Sequence, residues 1–380
     1  MTNCAKAAGM PLCFLVLMLW ASRTRAEITV IRKNTFSDPL LSPLSLKIAG
    51  SIRPEFVWDR SATHDLRRHG HDGGSRFRFT AGYQLTPALS VVGRYLWGVD
   101  LAHVLGLKHH YNPHQHWDIQ RQMFGGIALR HVGQLTYGHQ HGVYYDVIGS
   151  KSDIWDFDGN ASANWIGVPG DYGGGDRPRN AFKYKNTLGR YTLYADYLLP
   201  QHAAPLADDR HYQRRHGEGI GVDYQARRDL TLSAAWDQTN ATVTDARGER
   251  RHYRQHFSGA ALRWRPGRWT LVGTATWYRH YVPVSGRKSV ARYFARHGYG
   301  LETFFGYTFL PGKTWLHAVQ PYLAADTLRL RGNEHYHARH AYLGAYVHVA
   351  YGLSFYLEHT FTATSDGLPD TTWLTFFYNF

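Results

Sequence analysis

Apolar and polar positions alternate with a period of two along most of the chain, and the 3.6-residue period of an amphipathic helix is nearly absent. Leu44, Leu46, Ile48, Gly50 and Ile52 alternate with Ser45, Lys47, Ala49, Ser51 and Arg53. Phe77, Phe79, Ala81, Tyr83 and Leu85 alternate with Arg76, Arg78, Thr80, Gly82 and Gln84. Thr86-Pro87-Ala88 then reads as a tight turn into a third run, in which Leu89, Val91, Gly93, Tyr95 and Trp97 share a face. The same rule predicts strands near residues 119–130, 134–140, 177–185, 190–199, 217–225, 230–239, 252–264, 269–280, 297–309, 316–328, 338–350, 353–363 and 371–380, sixteen in all. Tight links at Thr86–Ala88, Lys185–Gly189, Ala226–Asp229, Arg265–Arg268 and Ala350–Gly352 alternate with long polar loops.

An even number of strands lets both chain ends meet on one side of a closed sheet, and closure removes the unpaired edges that lipid cannot hydrogen-bond. The fold class predicted is therefore all-β, a transmembrane 16-stranded antiparallel β-barrel. Composition agrees. The chain of 380 residues holds 26 Tyr and 12 Trp but only 19% charged residues, with a mean hydropathy of -0.43. That value excludes a bundle of membrane-spanning helices, yet a barrel strand averages its lipid-facing and lumen-facing residues and escapes such a window. Large soluble sandwiches, propellers and solenoids alternate too. Against them stand the absence of a blade-length repeat and the abundance of Tyr, Trp and Phe on the apolar faces.

The N-terminus has another character. Lys6 precedes a 12-residue apolar stretch from Met10 to Ala21, and Thr24-Arg25-Ala26 resembles a small-x-small cleavage site, so residues 1–26 read as a secretory signal peptide and 27–380 as a single barrel domain. Both cysteines, Cys4 and Cys13, fall in the signal, which leaves an exported chain without a disulfide framework or thiolate chemistry. Net charge is +14 over the whole chain with His neutral; removing Lys6, Arg23 and Arg25 leaves 40 basic against 29 acidic residues, a net of +11. Such a charge suits lipopolysaccharide phosphate or a permeating anion. Nucleic acid fits poorly, because the basic residues are scattered through strands and loops and the export signal points away from the cytoplasm.

At the far end Thr372, Leu374, Phe376, Tyr378 and Phe380 share a face. This looks like the C-terminal strand that outer-membrane proteins present to the barrel assembly machinery, with Phe380 as the signal.

The middle of the chain supports a family resemblance. From Arg121 to Phe157 the sequence RQMFGGIALRHVGQLTYGHQHGVYYDVIGSKSDIWDF closely resembles the fourth strand, fifth strand and third loop of the general diffusion porins of the Gram-negative outer membrane. Arg177, followed seven residues later by Tyr184 and then Asn186, matches the strand that returns from that loop. The specific resemblance covers roughly residues 119–200; elsewhere it rests on strand rhythm, the Glu-Ile start at 27 and the terminal Phe. It implies a water-filled channel for passive diffusion of small hydrophilic solutes and ions, narrowed by a third loop, about 141–176, that folds into the bore. It also implies a transverse field across that constriction, with Arg76, Arg121 and Arg177 on one wall facing Asp153, Asp156 and Asp158 on the loop. The loop departs from the family pattern: Trp155-Asp156-Phe157-Asp158-Gly159-Asn160 loses a Pro and a Gly, inserts Asp158 and ends on Asn160 in place of a carboxylate. The family further implies a homotrimer, with the first and last strands between protomers and the second loop, Leu101 to His116, latching onto a neighbour.

Opposed arginines and carboxylates in a narrow aqueous gap orient water and polar solutes, which is selectivity without catalysis. The basic excess predicts anion preference if it extends to the lumen, where Arg76, Arg78, Arg94, Arg121, Arg190 and Arg263 are expected to point. Of the 24 histidines, His109, His110, His114 and His116 crowd one loop and His335, His337 and His340 another. Metal binding and a pH-sensitive outer loop both suit them, and protonation would strengthen anion preference on acidification. No serine or cysteine nucleophile stands in a recognisable context, and Asp153, Asp156 and Asp158 lack the spacing of a calcium loop, so neither catalysis nor a cofactor is expected. A barrel serving as receptor, adhesin or structural anchor stays open, as does a solute-specific porin using Trp155, Phe157, Trp165 and Tyr172 to stack on sugars.

Overall fold

The computed structural model describes residues 27–59, 70–106, 118–156, 161, 174–205, 209–281, 295–332, 335–365 and 367–380. Sixteen strands form a closed antiparallel barrel. In chain order they are β1 Leu44–Ile52, β2 Arg76–Gln84, β3 Leu89–Val99, β4 Asp118–Leu129, β5 Gly133–His139, β6 Ala181–Leu188, β7 Tyr191–Leu198 and β8 His211–Arg227. There follow β9 Leu230–Thr244, β10 Arg250–Trp264, β11 Trp269–Tyr281, β12 Ala295–Tyr307, β13 Leu316–Gly332, β14 His335–Val349, β15 Leu353–Thr364 and β16 Thr371–Asn379. Each pairs with the next, as in Leu44↔Tyr83 between β1 and β2 and Trp277↔Tyr299 between β11 and β12.

Closure joins the two ends of the chain. β16 pairs with β1 through Ser51↔Asn379 and Ile52↔Tyr378, and continues along the short strand Pro54–Asp59 through Glu55↔Thr375 to Asp59↔Thr371. Phe380 and Gly50 exchange backbone hydrogen bonds of 3.1 and 2.8 Å. Immediately beyond, the segment Ile28–Ile31 pairs with Ile48, Lys47 and Leu46, so the N-terminal residues take up the line of β16 where the C-terminus leaves it.

The alternation sorts side chains onto two faces. Leu232, Leu262, Trp277, Leu301, Leu323, Leu343, Leu357 and Phe361 are exposed large apolar groups on one face. Their neighbours in sequence, including Ser233, Thr276, Glu302, Ala324, Glu358 and Thr360, are buried on the other. Among the described residues no helix is long and apolar enough to cross a membrane.

Strand limits differ from the sequence expectation in two instructive places. The strand expected at 177–185 runs Ala181–Leu188, because Arg177 to Asn180 belong to the return leg of the preceding loop, where Asn180 sits at φ 52° and its carbonyl accepts from Leu199. The strand expected at 217–225 begins already at His211. Polar, His-rich sequence ended the apolar alternation there, but pairing with β9 continues to His211↔Thr244, since backbone hydrogen bonding needs no apolar side chains.

Candidate functional site: a charged gap between a loop and the opposite wall

The connection between β5 and β6 starts and ends on a close crossing. Gly142 donates to Asp176 (2.8 Å) and Gln140 to Pro178 (3.3 Å), so the outgoing and returning legs are hydrogen-bonded to each other. Any Cβ on Gly142 would collide with the Gly174 carbonyl, which explains glycine at that position. A π-helical turn, Tyr145–Gly149, and a short α-helical turn, Ser150–Ser152, follow.

This segment packs on the strand face opposite the exposed apolar one. Val143, Tyr144, Val147 and Ile148 are fully buried in a cluster with Tyr194, Phe257, Ala261 and Tyr278. Space for them comes from glycines on the wall: a Cβ at Gly221 would lie 2.8 Å from Val147 and 2.9 Å from Val143, and one at Gly259 would lie 2.8 Å from the Tyr144 hydroxyl. Further along, Trp155 is buried against Phe304 (centroids 6.0 Å, stacked) and Tyr342 (5.7 Å). Polar contacts pin the same stretch. The Val143 amide donates to Asp196 (2.7 Å), Lys183 pairs with Asp146 (2.6 Å), and Lys151 pairs with Asp223 (3.0 Å). Burial pushes the Lys151 ammonium down, and the Asp223 carboxylate opposes that shift.

Arginines gather across the gap, Arg76 and Arg121 on strands of the other wall and Arg177, expected there too, on the return leg of the loop itself, since the strand begins only at Ala181. Arg76 at the start of β2 lies in the electrostatic field of Arg53, Asp153, Arg177 and Tyr145, and Arg121 on β4 lies in that of Arg177, Arg76, Asp176 and Tyr145. Gly98 on β3 lets Arg121 lie flat, since a Cβ there would stand 3.0 Å from Arg121 Cδ. Arg177 Nε is 3.3 Å from Asp176, which also lies 3.5 Å from His141. On the loop, exposed Asp153 accepts a hydrogen bond from the Tyr145 hydroxyl, whose ring stacks on His141 (3.9 Å). Arg76, Arg121, Arg177 and Asp153 are thus brought together, and Arg53, which the sequence reading passed over, joins them. Its signal lay in the break of alternation between Ile52 and Pro54.

Asp156 stands apart. Thr375 donates to its carboxyl (2.7 Å), its amide donates to Glu358 (3.2 Å), and Tyr322 donates to the same Glu358 (2.6 Å). Burial pushes the Asp156 carboxyl up to about 8; the Thr375 hydroxyl opposes that, and the Glu55 and Glu358 carboxylates add to it. At neutral pH it is mostly protonated, an anchor of the loop to β15 and β16 more than a fixed negative charge in the gap. Asp158 lies outside the described residues.

Of the other lumen expectations, Arg94 lies near Arg78, Glu27 and Asp146, while Glu27 pairs with Lys47 (2.7 Å) and Arg78 (3.3 Å). Arg263 lies in the field of Lys151, whereas Arg190 sits in the β6–β7 turn and donates to Ala226 (3.5 Å). The loop histidines 109, 110, 114 and 116 lie outside the described residues. His340 faces the buried side and contacts Asp326 (2.7 Å), away from exposed His335 and His337. Among the described residues no group of three His, Cys, Asp or Glu is arranged to hold a metal ion.

Comparison with known proteins places this barrel. A sequence search of curated proteins finds no match. Among solved structures the chain resembles OmpF of Salmonella typhi, in complex with daunomycin, with TM-score 0.69 and 16% identity over 89% of this chain and 98% of that one. The trimer form of OmpT, an outer membrane protein of Vibrio cholerae, superposes at TM-score 0.62 with 13% identity over 89% and 99%. The anion-selective porin from Comamonas acidovorans superposes at 0.59 with 12% identity over 89% and 100%. At these identities the likeness is one of fold. The Gram-negative porin family profile matches residues 15–262, well over half of the chain, and with the closed sixteen-stranded barrel it identifies this protein as a member of the Gram-negative porin family, a channel of the outer membrane.

Proposed function

We propose that the protein is a passive pore for small hydrophilic solutes that favours anions, narrowed by the segment from Gly142 to Asp156. The observation that carries this reading is the imbalance across the gap. Arg53, Arg76, Arg121 and Arg177 share one electrostatic neighbourhood, while Asp153 and Asp176 are the carboxylates set against them and Asp156 is half-buried away from it. Closely spaced cations that outnumber the carboxylates facing them among the described residues attract permeating anions and repel cations. Supporting this, the resemblance to an anion-selective porin includes the whole barrel of that protein.

The test is the reversal potential of the purified protein in a planar bilayer under a salt gradient. Arg121→Glu shifts it toward cation preference and Asp153→Asn shifts it toward anions; a reversal potential indifferent to both removes the reading. Sugar stacking gains little support from Trp155, whose ring is sandwiched between Phe304 and Tyr342 rather than presented to solvent.

Three further parts of the reading go with it. Residues 1–26 act as a cleaved export signal, so that Glu27 begins the mature chain. Three copies assemble through the outer faces of the first and last strands, where Tyr95, Met123, Tyr137 and Phe376 are exposed on the single chain, and OmpT of Vibrio cholerae forms a trimer on the same fold. Phe380 presents the terminal strand to the assembly machinery.

A further inference from the structure

Two histidines meet inside the barrel at the end that carries the tight turns. His348 is the penultimate residue of β14, just ahead of the Ala350–Gly352 link. It points into the bore, because it continues the series Tyr342, Gly344 and Tyr346 at two-residue steps on the face opposite the exposed Leu343. His317 reaches the same place through an irregularity. Leu316 pairs with Val349 and Ala318 with His348, so His317 is an extra residue of β13 without a partner across the ladder. In a regular register position 317 would stand opposite Val349 on the lipid face. The bulge gives that place to Leu316 and turns His317 inward, against the His348 ring.

The two ring centres are 5.1 Å apart, with planes at 89°. Among the described residues neither imidazole has a hydrogen-bond partner, and the ionisable group acting on His348 is His317, not a carboxylate. Nothing nearby therefore favours the charged form of either ring, and the neutral imidazole is the form that binds metal. The residues on either side of His348 in register are small, Ala318 on β13 and Ser354 on β15. Both histidines are only partly covered, which leaves their ring nitrogens within reach of water in the bore.

The spacing decides what the pair can hold. A tetrahedral ion about 2.0 Å from one nitrogen of each ring lies about 3.2 Å from each ring centre, which sets the centres about 5.2 Å apart. The observed 5.1 Å is that separation. His141, by contrast, packs flat on Tyr145 at 3.9 Å and 11°, a contact with no room for an ion between the rings. Imidazole nitrogen suits Zn2+, Cu2+ and Ni2+. A hard ion such as Ca2+ needs several oxygen ligands, which Ala318 and Ser354 do not supply.

We propose that His317 and His348 form a binding site for a divalent transition-metal ion at the turn-end mouth of the channel, with the remaining coordination positions left to water or a small anion. A pair of protein ligands makes this an exchangeable site, unlike the closed four-ligand sites that hold folds together. The site requires only the barrel. Its consequence for current rests on the anion-preferring reading above: an ion held there adds positive charge to the wall and strengthens that preference.

The test titrates Cu2+, the tightest binder of these ions, into the purified protein folded in neutral detergent. Uptake is read by calorimetry and nitrogen coordination by electron paramagnetic resonance. Histidines elsewhere take up copper as well, so the readout is a difference between proteins. His317→Ala and His348→Ala are each expected to lose the same single equivalent, the double variant to lose no more than either, and His359→Ala on the lipid face to lose none. Equal uptake by the wild type and both single variants overturns the proposal. So does a double variant that loses two equivalents, because the histidines would then be separate sites. Should alanine in the bulge prevent folding, His317→Phe keeps a flat ring there and must lose the same equivalent. The reversal potential is measured on the same samples in metal-free potassium chloride. A pore without anion preference there sinks the anion reading alone, and the copper difference still decides the site.

Discussion

The Thr375 hydroxyl donates a 2.7 Å hydrogen bond to the carboxyl of Asp156, joining the last strand of the barrel to a loop residue 219 positions earlier. Glu358, fully buried, accepts from the Asp156 amide, and Glu55 completes an acidic neighbourhood around one carboxyl. Burial pushes the Asp156 carboxyl up to about 8, with the Glu55 and Glu358 carboxylates adding to the shift and the Thr375 hydroxyl opposing it.

The consequence for pH has a definite sign. A carboxyl whose folded value lies above its unfolded value of about 4 binds its proton more tightly in the native state, so stability falls as pH rises between about 4 and about 8 and is level beyond. Thermal unfolding in detergent should show this loss for the wild type. Asp156→Asn keeps an acceptor for Thr375 and cannot ionise, so its curve should be flatter across that window. Parallel curves for the two proteins would mean that Asp156 does not titrate as its surroundings dictate.

Trp155 makes the second anchor. Truncation to Ala removes a ring buried against Phe304 and Tyr342, a change that costs about 3–5 kcal/mol in a packed interior. Because the strands are hydrogen-bonded to one another without it, the cost should fall on the loop alone. Trp155→Ala is expected to leave the far-ultraviolet dichroism and heat-modifiable gel mobility of the barrel unchanged. Protease cleavage between residues 140 and 176 should rise severalfold, and single-channel conductance should increase. Unchanged cleavage and conductance would mean that Trp155 does not hold the loop.

Strand alternation made the barrel legible because every side chain on it obeys one rule, and the ends of the barrel were legible through Phe380. The site was legible in part. Arg76, Arg121 and Arg177 stand in strand or loop contexts carried by family resemblance, but nothing in sequence distinguishes Asp153, exposed at the gap, from Asp156 three residues later, half-buried and hydrogen-bonded to β15 and β16. That difference is created by Glu358 and Thr375, more than two hundred positions away. The wall glycines were a missed signal: Gly221 and Gly259 stand on the strands where the loop's Val143, Val147 and Tyr144 need room.

Gly221 gives a converse test. Adding a valine side chain there places methyl groups where Val143 and Val147 already sit, an overpacking that costs typically about 1–3 kcal/mol. The loop is the softer partner, so it should yield by moving off β8 toward the arginine wall. Gly221→Val is expected to reduce single-channel conductance while the barrel stays folded, opposite in sign to Trp155→Ala. An increase in conductance would mean that the loop is displaced away from the gap instead.

Phe380 is where chain closure can be tested. Its backbone exchanges two hydrogen bonds with Gly50, and its buried ring packs on Phe77 (5.9 Å) and Tyr378 (6.0 Å), in space left because Gly50 has no side chain. The backbone bonds survive substitution by Ala, whereas the ring contacts do not, so Phe380→Ala should cost about 3–5 kcal/mol at the seam between β16 and β1. A barrel has no edges to fray except at its seam, so opening should start there and the unfolding rate should rise by orders of magnitude. Refolding into detergent micelles isolates this from any role in cellular assembly, because no assembly machinery is present. Faster unfolding of Phe380→Ala in urea, read by heat-modifiable gel mobility, would assign the residue a structural share in closure. Equal rates in vitro combined with poor assembly in cells would leave Phe380 as a recognition signal only.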